Sequence, residues 1–262
     1  MKLRIFQIDA FANGPFGGNP AAVVPLDDWI SEGQMQAIAA ENNLAETAYF
    51  VAEGDRFALR WFTPVKEVDL CGHATLASAY VLFHYLGQTG DTITFNSASG
   101  PLAVRRSGDL LSLDFPAEPP EPHTDSGEVE AALALPAGAL RELARGRYYL
   151  ARLNSEQAVR ELRPDMAALE ALDRVGVMAT APGENVDFVY RFFAPAAGIP
   201  EDPATGSAQC ALLPFWSQRL GKKVLRSHQV SSRLGVFEGE DRGERVTISG
   251  QCVPYLIGEI TI

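Results

Sequence analysis

Two short stretches of this chain repeat each other, and both carry residues that could do chemistry. Glu67-Val68-Asp69-Leu70-Cys71-Gly72-His73-Ala74-Thr75-Leu76-Ala77 aligns without gaps on Glu201-Asp202-Pro203-Ala204-Thr205-Gly206-Ser207-Ala208-Gln209-Cys210-Ala211. Glu, Gly, Ala and Ala recur at a constant offset. Each stretch ends a polar turn and opens an apolar run of helical length. A glycine at such a turn lets the backbone approach a ligand closely. The first N–H groups of the following helix then point at that ligand, with the positive end of the helix dipole behind them. Two such turns predict a pseudo-symmetric pair of half-sites for one small anionic molecule.

The elements that must position these turns follow a repeated rhythm. In the first part, strands are predicted at about 3–10, 20–25, 47–52, 57–63, 92–96, 102–106 and 110–115. Ser31 announces a helix near 31–42 as its N-cap. Residues 73–86 are apolar nearly all round, which predicts a helix enclosed on every side, and Gly87 is placed to end it. Pro116-Ala117-Glu118-Pro119-Pro120-Glu121-Pro122 predicts an extended linker and the domain boundary. The second part repeats the pattern, with a helix near 127–134 and strands near 147–152, 175–179 and 187–193. A second enclosed helix is predicted at about 206–220, followed by Gly221, with Pro214 removing one backbone hydrogen bond inside it. Strands near 234–238, 244–249 and 255–261 complete the chain. This describes two similar units, each a curled mixed sheet around one buried helix, with the repeated turns between them.

Composition narrows the function classes. A chain of 262 residues suffices for one or two domains with a sizeable core. The net charge of −11 leaves no basic stripe for phosphates and argues against nucleic-acid binding. It does not argue against an anionic substrate, because local N–H groups and dipoles override the global field. Three scattered cysteines read as a reduced, cytoplasmic protein. No metal-ligand spacing links them to the four histidines, so no zinc site is expected. Met1 through Ile8 alternates like a strand and has no apolar signal core, and no run reaches transmembrane length.

Four motifs then stand in order along the chain. They are Gly18-Asn19-Pro20-Ala21-Ala22-Val23-Val24, Asn43-Leu44-Ala45-Glu46-Thr47-Ala48-Tyr49-Phe50, Leu59-Arg60-Trp61-Phe62-Thr63-Pro64 running on to Cys71-Gly72-His73-Ala74-Thr75, and Glu201 through Ala208. Together they closely resemble the PhzF-like family, the phenazine-biosynthesis isomerase group within the diaminopimelate epimerase superfamily. The resemblance implies an α+β fold of two pseudo-symmetric diaminopimelate epimerase-like domains, each a curled, mostly antiparallel or mixed sheet around a central helix. The proline-rich stretch divides the chain at 1–116 and 117–250, and the resemblance would return 251–262 to the first domain, as the last strand commonly does in that superfamily. The resemblance also implies a cofactor-free, metal-free isomerase, often a homodimer, acting on a small carboxylate-bearing metabolite in the interdomain cleft.

Isomerisation by proton transfer needs a group that takes a proton from one carbon and returns it to another on the same face. Glu46 is the candidate. Its apolar, strand-like surroundings predict a carboxyl pKa raised by desolvation. The resemblance gives the family's acid/base to Glu46 and groups His73, Asp202 and Ser207 around it. Gly72, Ala74, Gly206 and Ala208 would supply N–H groups to the anionic end. The alternatives on residue type alone are a solvent-facing Glu46, a His73 satisfied by backbone, and Asp202 and Ser207 as plain helix caps. Arg60 and Trp61 could face a substrate or be structural.

Cys71 and Thr205 occupy matching positions at the two turns. Relatives that racemise amino acids use a cysteine at each, on opposite faces of the α-carbon. Threonine is far too weak an acid for that role at neutral pH, so a two-thiol racemase is disfavoured. A single-cysteine lyase of the hydroxyproline-dehydratase kind and a non-catalytic metabolite-binding protein remain the alternatives. Cys71 itself is either a thiolate at a helix start or a small buried residue, and Cys210 and Cys252 read as core.

Overall fold

A computed structural model describes residues 1–262. The chain packs as two units, one of Met1–Asp114 with Ser249–Ile262 and one of Phe115–Ile248. The first contains β1 (Lys2–Ala10), β2 (Asn19–Leu26), α1 (Glu32–Asn42), β3 (Glu46–Glu53), β4 (Arg56–Phe62), β5 (Glu67–Val68), α2 (Gly72–Tyr85), β6 (Thr92–Ser97) and β7 (Gly100–Ser107), and β8 (Leu110–Pro116) leads out of it. The second contains β9 (Glu121–His123), α3 (Gly127–Ala132), β10 (Leu140–Arg145), β11 (Tyr149–Leu153), α4 (Glu156–Arg160), α5 (Met166–Glu170), β12 (Val177–Pro182), β13 (Phe188–Ala194), β14 (Ile199–Asp202), α6 (Gly206–Leu220), β15 (Val224–Gln229) and β16 (Gly235–Asp241). β17 (Arg245–Gly250) leads back, and β18 (Cys252–Thr261) pairs antiparallel along the whole of β1.

Each unit arranges its strands in the same order of senses. In the first, β1 pairs antiparallel with β18 on one side and with β2 on the other, β2 and β3 are parallel, β3 and β4 antiparallel, β4 and β6 parallel, and β6 and β7 antiparallel. In the second, β9, β10 and β11 take the antiparallel places, β11 and β12 are parallel, β12 and β13 antiparallel, β13 and β15 parallel, and β15 and β16 antiparallel. The duplication seen in the two turns therefore extends through the sheets. Parallel neighbours require a crossover, and helices supply each one: α1 and α2 in the first unit, α4 with α5 and α6 in the second.

Two of these crossovers are the enclosed helices. α2 lies against β1, β2, β3, β7 and β18, and buries His73 through Ala79 and Val81 through Phe83. α6 lies against β15 and β16 and buries nearly every residue from Gly206 to Ser217. Neither has a polar face because neither has a solvent face. Pro214 does not interrupt α6. Its missing N–H would have bonded the Cys210 carbonyl, and the Glu118 N–H takes that place at 2.9 Å. The proline-rich stretch is therefore extended as expected but not loose. Ala117 N–H also donates to Glu244 O, at 2.9 Å, and Glu121–His123 forms β9 against β10.

Several short elements depart from the sequence expectation. β10 reads Leu-Arg-Glu-Leu-Ala-Arg, all good helix formers, yet it is held as a strand between β9 and β11. Leu143 on this strand packs with Tyr149, Val159, Leu169 and Phe193 in the second unit's core, so burial overrides propensity. No helix in the chain is long and apolar enough to cross a membrane.

Candidate active site

Glu46 is delivered by the β2–α1–β3 crossover. Ser31 caps α1 with a reciprocal box: Gln34 N–H donates to Ser31 Oγ at 3.3 Å and Ser31 N–H to Gln34 Oε1 at 3.2 Å. Asn43 ends the helix in the left-handed region at φ 48°, turning the chain toward β3. Asn42 Nδ2 then donates to Thr47 Oγ1 at 3.1 Å, and Glu46 pairs in parallel register with Ala21. These contacts fix the first residue of β3, whose carboxylate is largely buried, with 13% of the side chain exposed.

Cys71 and His73 come from the first turn. Cys71 is the N-cap of α2, and its carbonyl accepts from Thr75 N–H at 3.1 Å and Thr75 Oγ1 at 2.6 Å. Two residues on, the imidazole lies between sulfur and carboxylate. Its Nδ1 is 3.5 Å from Cys71 Sγ, and its Nε2 is 3.1 Å from Glu46 Oε2. The second contact has the distance but not the alignment of a hydrogen bond, and neither buried atom has another hydrogen-bond partner in the chain. We read it as an ion pair whose polar atoms keep capacity for a third group.

The electrostatics correct one expectation. Burial does push the Glu46 carboxyl up, as its apolar surroundings imply, but the facing His73 charge, together with the close polar contacts of His73 and Cys71, outweighs it, so its pKa is lowered. For His73, burial disfavours the imidazolium, but the Cys71 sulfur and the Glu46 carboxylate hold its pKa well above the ordinary value. Burial, then Glu46, push the Cys71 thiol up past the opposing pull of His73. The shifts favour the charged forms of Glu46 and His73 and the neutral form of Cys71. Glu46 is thus a ready base rather than a ready acid.

The second turn is held by a polar network. Thr205 is the N-cap of α6, and like Cys71 it makes no capping bond through its side chain. Its hydroxyl donates instead to Asp202 Oδ2. Gln229 binds the turn from β15, accepting from Thr205 N–H at 2.6 Å and donating to Thr205 Oγ1 at 3.2 Å and to the Asp202 carbonyl. Ser231 Oγ donates to Pro203 O at 2.7 Å. Gln209, at the position matching Thr75, donates to Tyr190 OH at 3.0 Å, and Tyr190 OH donates to the Thr205 carbonyl at 3.2 Å. Ser207 is exposed, with its hydroxyl 3.4 Å from Tyr148 OH. The N-cap of α6 is thus Thr205, not Asp202 or Ser207. Gln229 and Tyr148 were not legible as site residues, since an amide at a strand end and a tyrosine in an apolar strand have no distinguishing pattern.

The glutamates of the repeat have a shared structural task. Arg60 on β4 grips Glu67 on β5 with two bonds of 2.6 Å, and Arg191 on β13 grips Glu201 on β14 with bonds of 2.7 and 2.8 Å. Each two-bond clamp ties the strand just before a turn to its neighbour. Arg60 is thereby structural. Gly72, Ala74, Gly206 and Ala208 all lie in the first turn of their helices, where backbone N–H groups lack intrahelical acceptors.

The family model for a phenazine biosynthesis-like protein matches residues 8–258. An uncharacterized isomerase of Pseudomonas aeruginosa is 49% identical over 100% of both chains. A crystal structure of a PhzF-family phenazine biosynthesis protein from Enterococcus faecalis is 46% identical, covers 100% of both chains and superposes with a TM-score of 0.97. A hydroxyproline epimerase from Agrobacterium vitis, at 10% identity and a TM-score of 0.59, shares the fold alone. The fold is thus the diaminopimelate epimerase-like α+β fold that the motifs implied. With the match spanning nearly the whole chain, the protein belongs to the PhzF-type, phenazine biosynthesis-like family and is an isomerase of that kind.

Proposed function

We propose that this isomerase moves a proton between two carbons of a small carboxylate-bearing metabolite, with Glu46 as the single acid/base. The observation that carries this reading is the buried Glu46–His73 pair, whose facing atoms Oε2 and Nε2 lie 3.1 Å apart and have no other hydrogen-bond partner in the chain. The Glu46 carboxylate takes a proton from a substrate C–H bond. The electron pair left behind delocalises toward the substrate's carboxylate, which the N–H groups at Gly72, Ala74, Gly206 and Ala208 would hold. Glu46, now a carboxylic acid, returns the proton to the other end of the delocalised system. The His73 imidazolium stabilises the negative charge as it leaves Glu46 and enters the substrate. Asp202 and Ser207 would bind the polar groups of the substrate. Cys71 is given no proton to carry, because burial and the Glu46 charge keep it a thiol.

The test begins with a panel of small unsaturated and amino carboxylates screened for thermal stabilisation of the chain. Each stabilising compound is then incubated in deuterated water with the wild type and with Glu46→Gln. Deuterium entering carbon in the wild type, with at least a hundredfold loss in a folded Glu46→Gln, is the expected outcome. Full exchange by the folded variant would remove Glu46 from the mechanism.

A further inference from the structure

We propose that Glu46, Cys71 and His73 form a binding site for a thiophilic divalent metal ion of the zinc type, and that the bound ion inhibits the enzyme. Linear spacing does not reveal such a site, because only Cys71 and His73 are near in sequence. The fold closes the gap. One donor atom from each residue lies within 4.8 Å of the other two, and all three side chains are at least largely buried.

The donor chemistry selects the ion. Thiolate and imidazole suit zinc and its cobalt stand-in, whereas magnesium and calcium want an all-oxygen shell. Three protein donors with a fourth position open is the arrangement of an accessible zinc site rather than a closed structural one. Ordinary zinc–ligand bond lengths in a tetrahedron put donors about 3.3–3.6 Å apart. Here Nε2 and Oε2 are 3.1 Å apart, and Sγ and Nδ1 are 3.5 Å apart. One ion takes only one ring nitrogen, so either the Cys71 or the Glu46 side chain must rotate toward it.

The supporting shell favours this. Glu46 Oε2 and His73 Nε2 have no other hydrogen bond to break. Cys71 and His73 sit on a helix start fixed by the two Thr75 bonds to the Cys71 carbonyl. On binding, the Cys71 S–H proton and one imidazolium proton pass to solvent while sulfur, nitrogen and a carboxylate oxygen bond the ion. Thiolate and carboxylate together balance its charge. The same event occupies both groups of the proposed acid/base pair, so a loaded enzyme cannot transfer protons. Metal binding itself does not depend on that reaction.

The probe is Co²⁺ alone, titrated into the purified full chain under reducing conditions. The expected result is one equivalent bound, with the visible bands of a four-coordinate ion and a thiolate-to-cobalt charge-transfer band in the near ultraviolet. Zn²⁺ should displace it. Cys71→Ser should lose the charge-transfer band, and Glu46→Gln and His73→Ala should each weaken binding at least about tenfold. Cys210→Ser and Cys252→Ser should leave the spectrum unchanged. A folded wild type without these bands, or a charge-transfer band that survives in folded Cys71→Ser, would overturn the proposal. Should Cys71→Ser fail to fold by circular dichroism, unchanged cobalt affinity in folded Glu46→Gln decides against it equally. A folded Glu46→Gln that is inactive yet binds cobalt fully would reject the metal site and leave the proton-transfer reading standing.

Discussion

His73 Nε2 stands 3.1 Å from Glu46 Oε2, where the start of a strand meets the start of a helix. The pair fixes a pH window. Glu46 has a pKa below its ordinary 4.5, so its contribution to stability is complete above 4.5 and is lost as pH falls through the lower, folded value. His73 has a pKa well above its ordinary 6.5, so its contribution is complete below 6.5 and is lost as pH rises through the higher, folded value. The pair therefore stabilises most between those two ordinary values. Melting temperatures of wild type and Glu46→Gln should differ most there and converge on the alkaline side. In proton NMR, His73 should titrate above 6.5, while burial holds His84 and His228 below it. Glu46→Gln should bring His73 down, since burial then acts without the carboxylate opposing it. A wild-type His73 titrating below 6.5 would refute the ion pair.

Cys71 tests whether sulfur carries a proton in the reaction. Held as a thiol by burial and by Glu46, it contributes packing and the turn. Cys71→Ala should cost no more than about tenfold in kcat/KM on any compound that shows exchange, while Glu46→Gln costs two orders of magnitude or more. Steady-state kinetics on both variants decides it. A loss of about three orders in Cys71→Ala with an active Glu46→Gln would establish the single-cysteine lyase instead.

What the sequence disclosed was local and repeated. The two turns, their helices and Ser31 are short-range patterns, so they could be read directly. Glu46 was visible as a carboxylate in an apolar strand, which gives burial but not the charge facing it. That is why its pKa was expected to rise. Arg60 could not be interpreted alone, because strand alternation names a face and not a partner. Once Glu67 is paired to it across β4 and β5, the repeat of Glu67 at Glu201 has a reason. β10 was hidden by helix-forming residues whose strand conformation comes from its neighbours. Gln229 and Tyr148 act through contacts distant in sequence, and no spacing announces them.

Thr205 probes the inequality of the two turns. Its hydroxyl bonds Asp202 and accepts from Gln229 at 3.2 Å, so it belongs to the network that shapes the turn. Thr205→Cys restores a second thiol but weakens both bonds. It should destabilise the chain by about 1 kcal/mol and should not produce exchange of the α-proton of amino acids in deuterated water. NMR of a mixture of α-amino acids incubated with the variant provides the check. Rapid α-exchange would mean that a second thiol at position 205 is enough for two-thiol racemisation.

The two arginine clamps should differ in their contribution because they differ in burial. Arg191 keeps 11% of its side chain exposed, and besides Glu201 its NH1 donates to the carbonyls of Val159, Arg160 and Leu162 at 3.3, 3.3 and 2.9 Å. Removing it strands a half-buried carboxylate and three carbonyls near the end of α4. Arg60 keeps 30% exposed and Glu67 34%, so water can replace much of what that pair supplies. Arg191→Met should therefore cost about 3 kcal/mol, and Arg60→Met about 1 kcal/mol or less. Hydrogen exchange read at the amides of β13 with β14, and of β4 with β5, measures each locally, so the two units need not unfold together. Exchange in β13 and β14 should accelerate far more in Arg191→Met than exchange in β4 and β5 does in Arg60→Met. Equal or reversed effects would show that the second turn does not hang on Arg191 and that Gln229 alone keeps Asp202 and Thr205 in place.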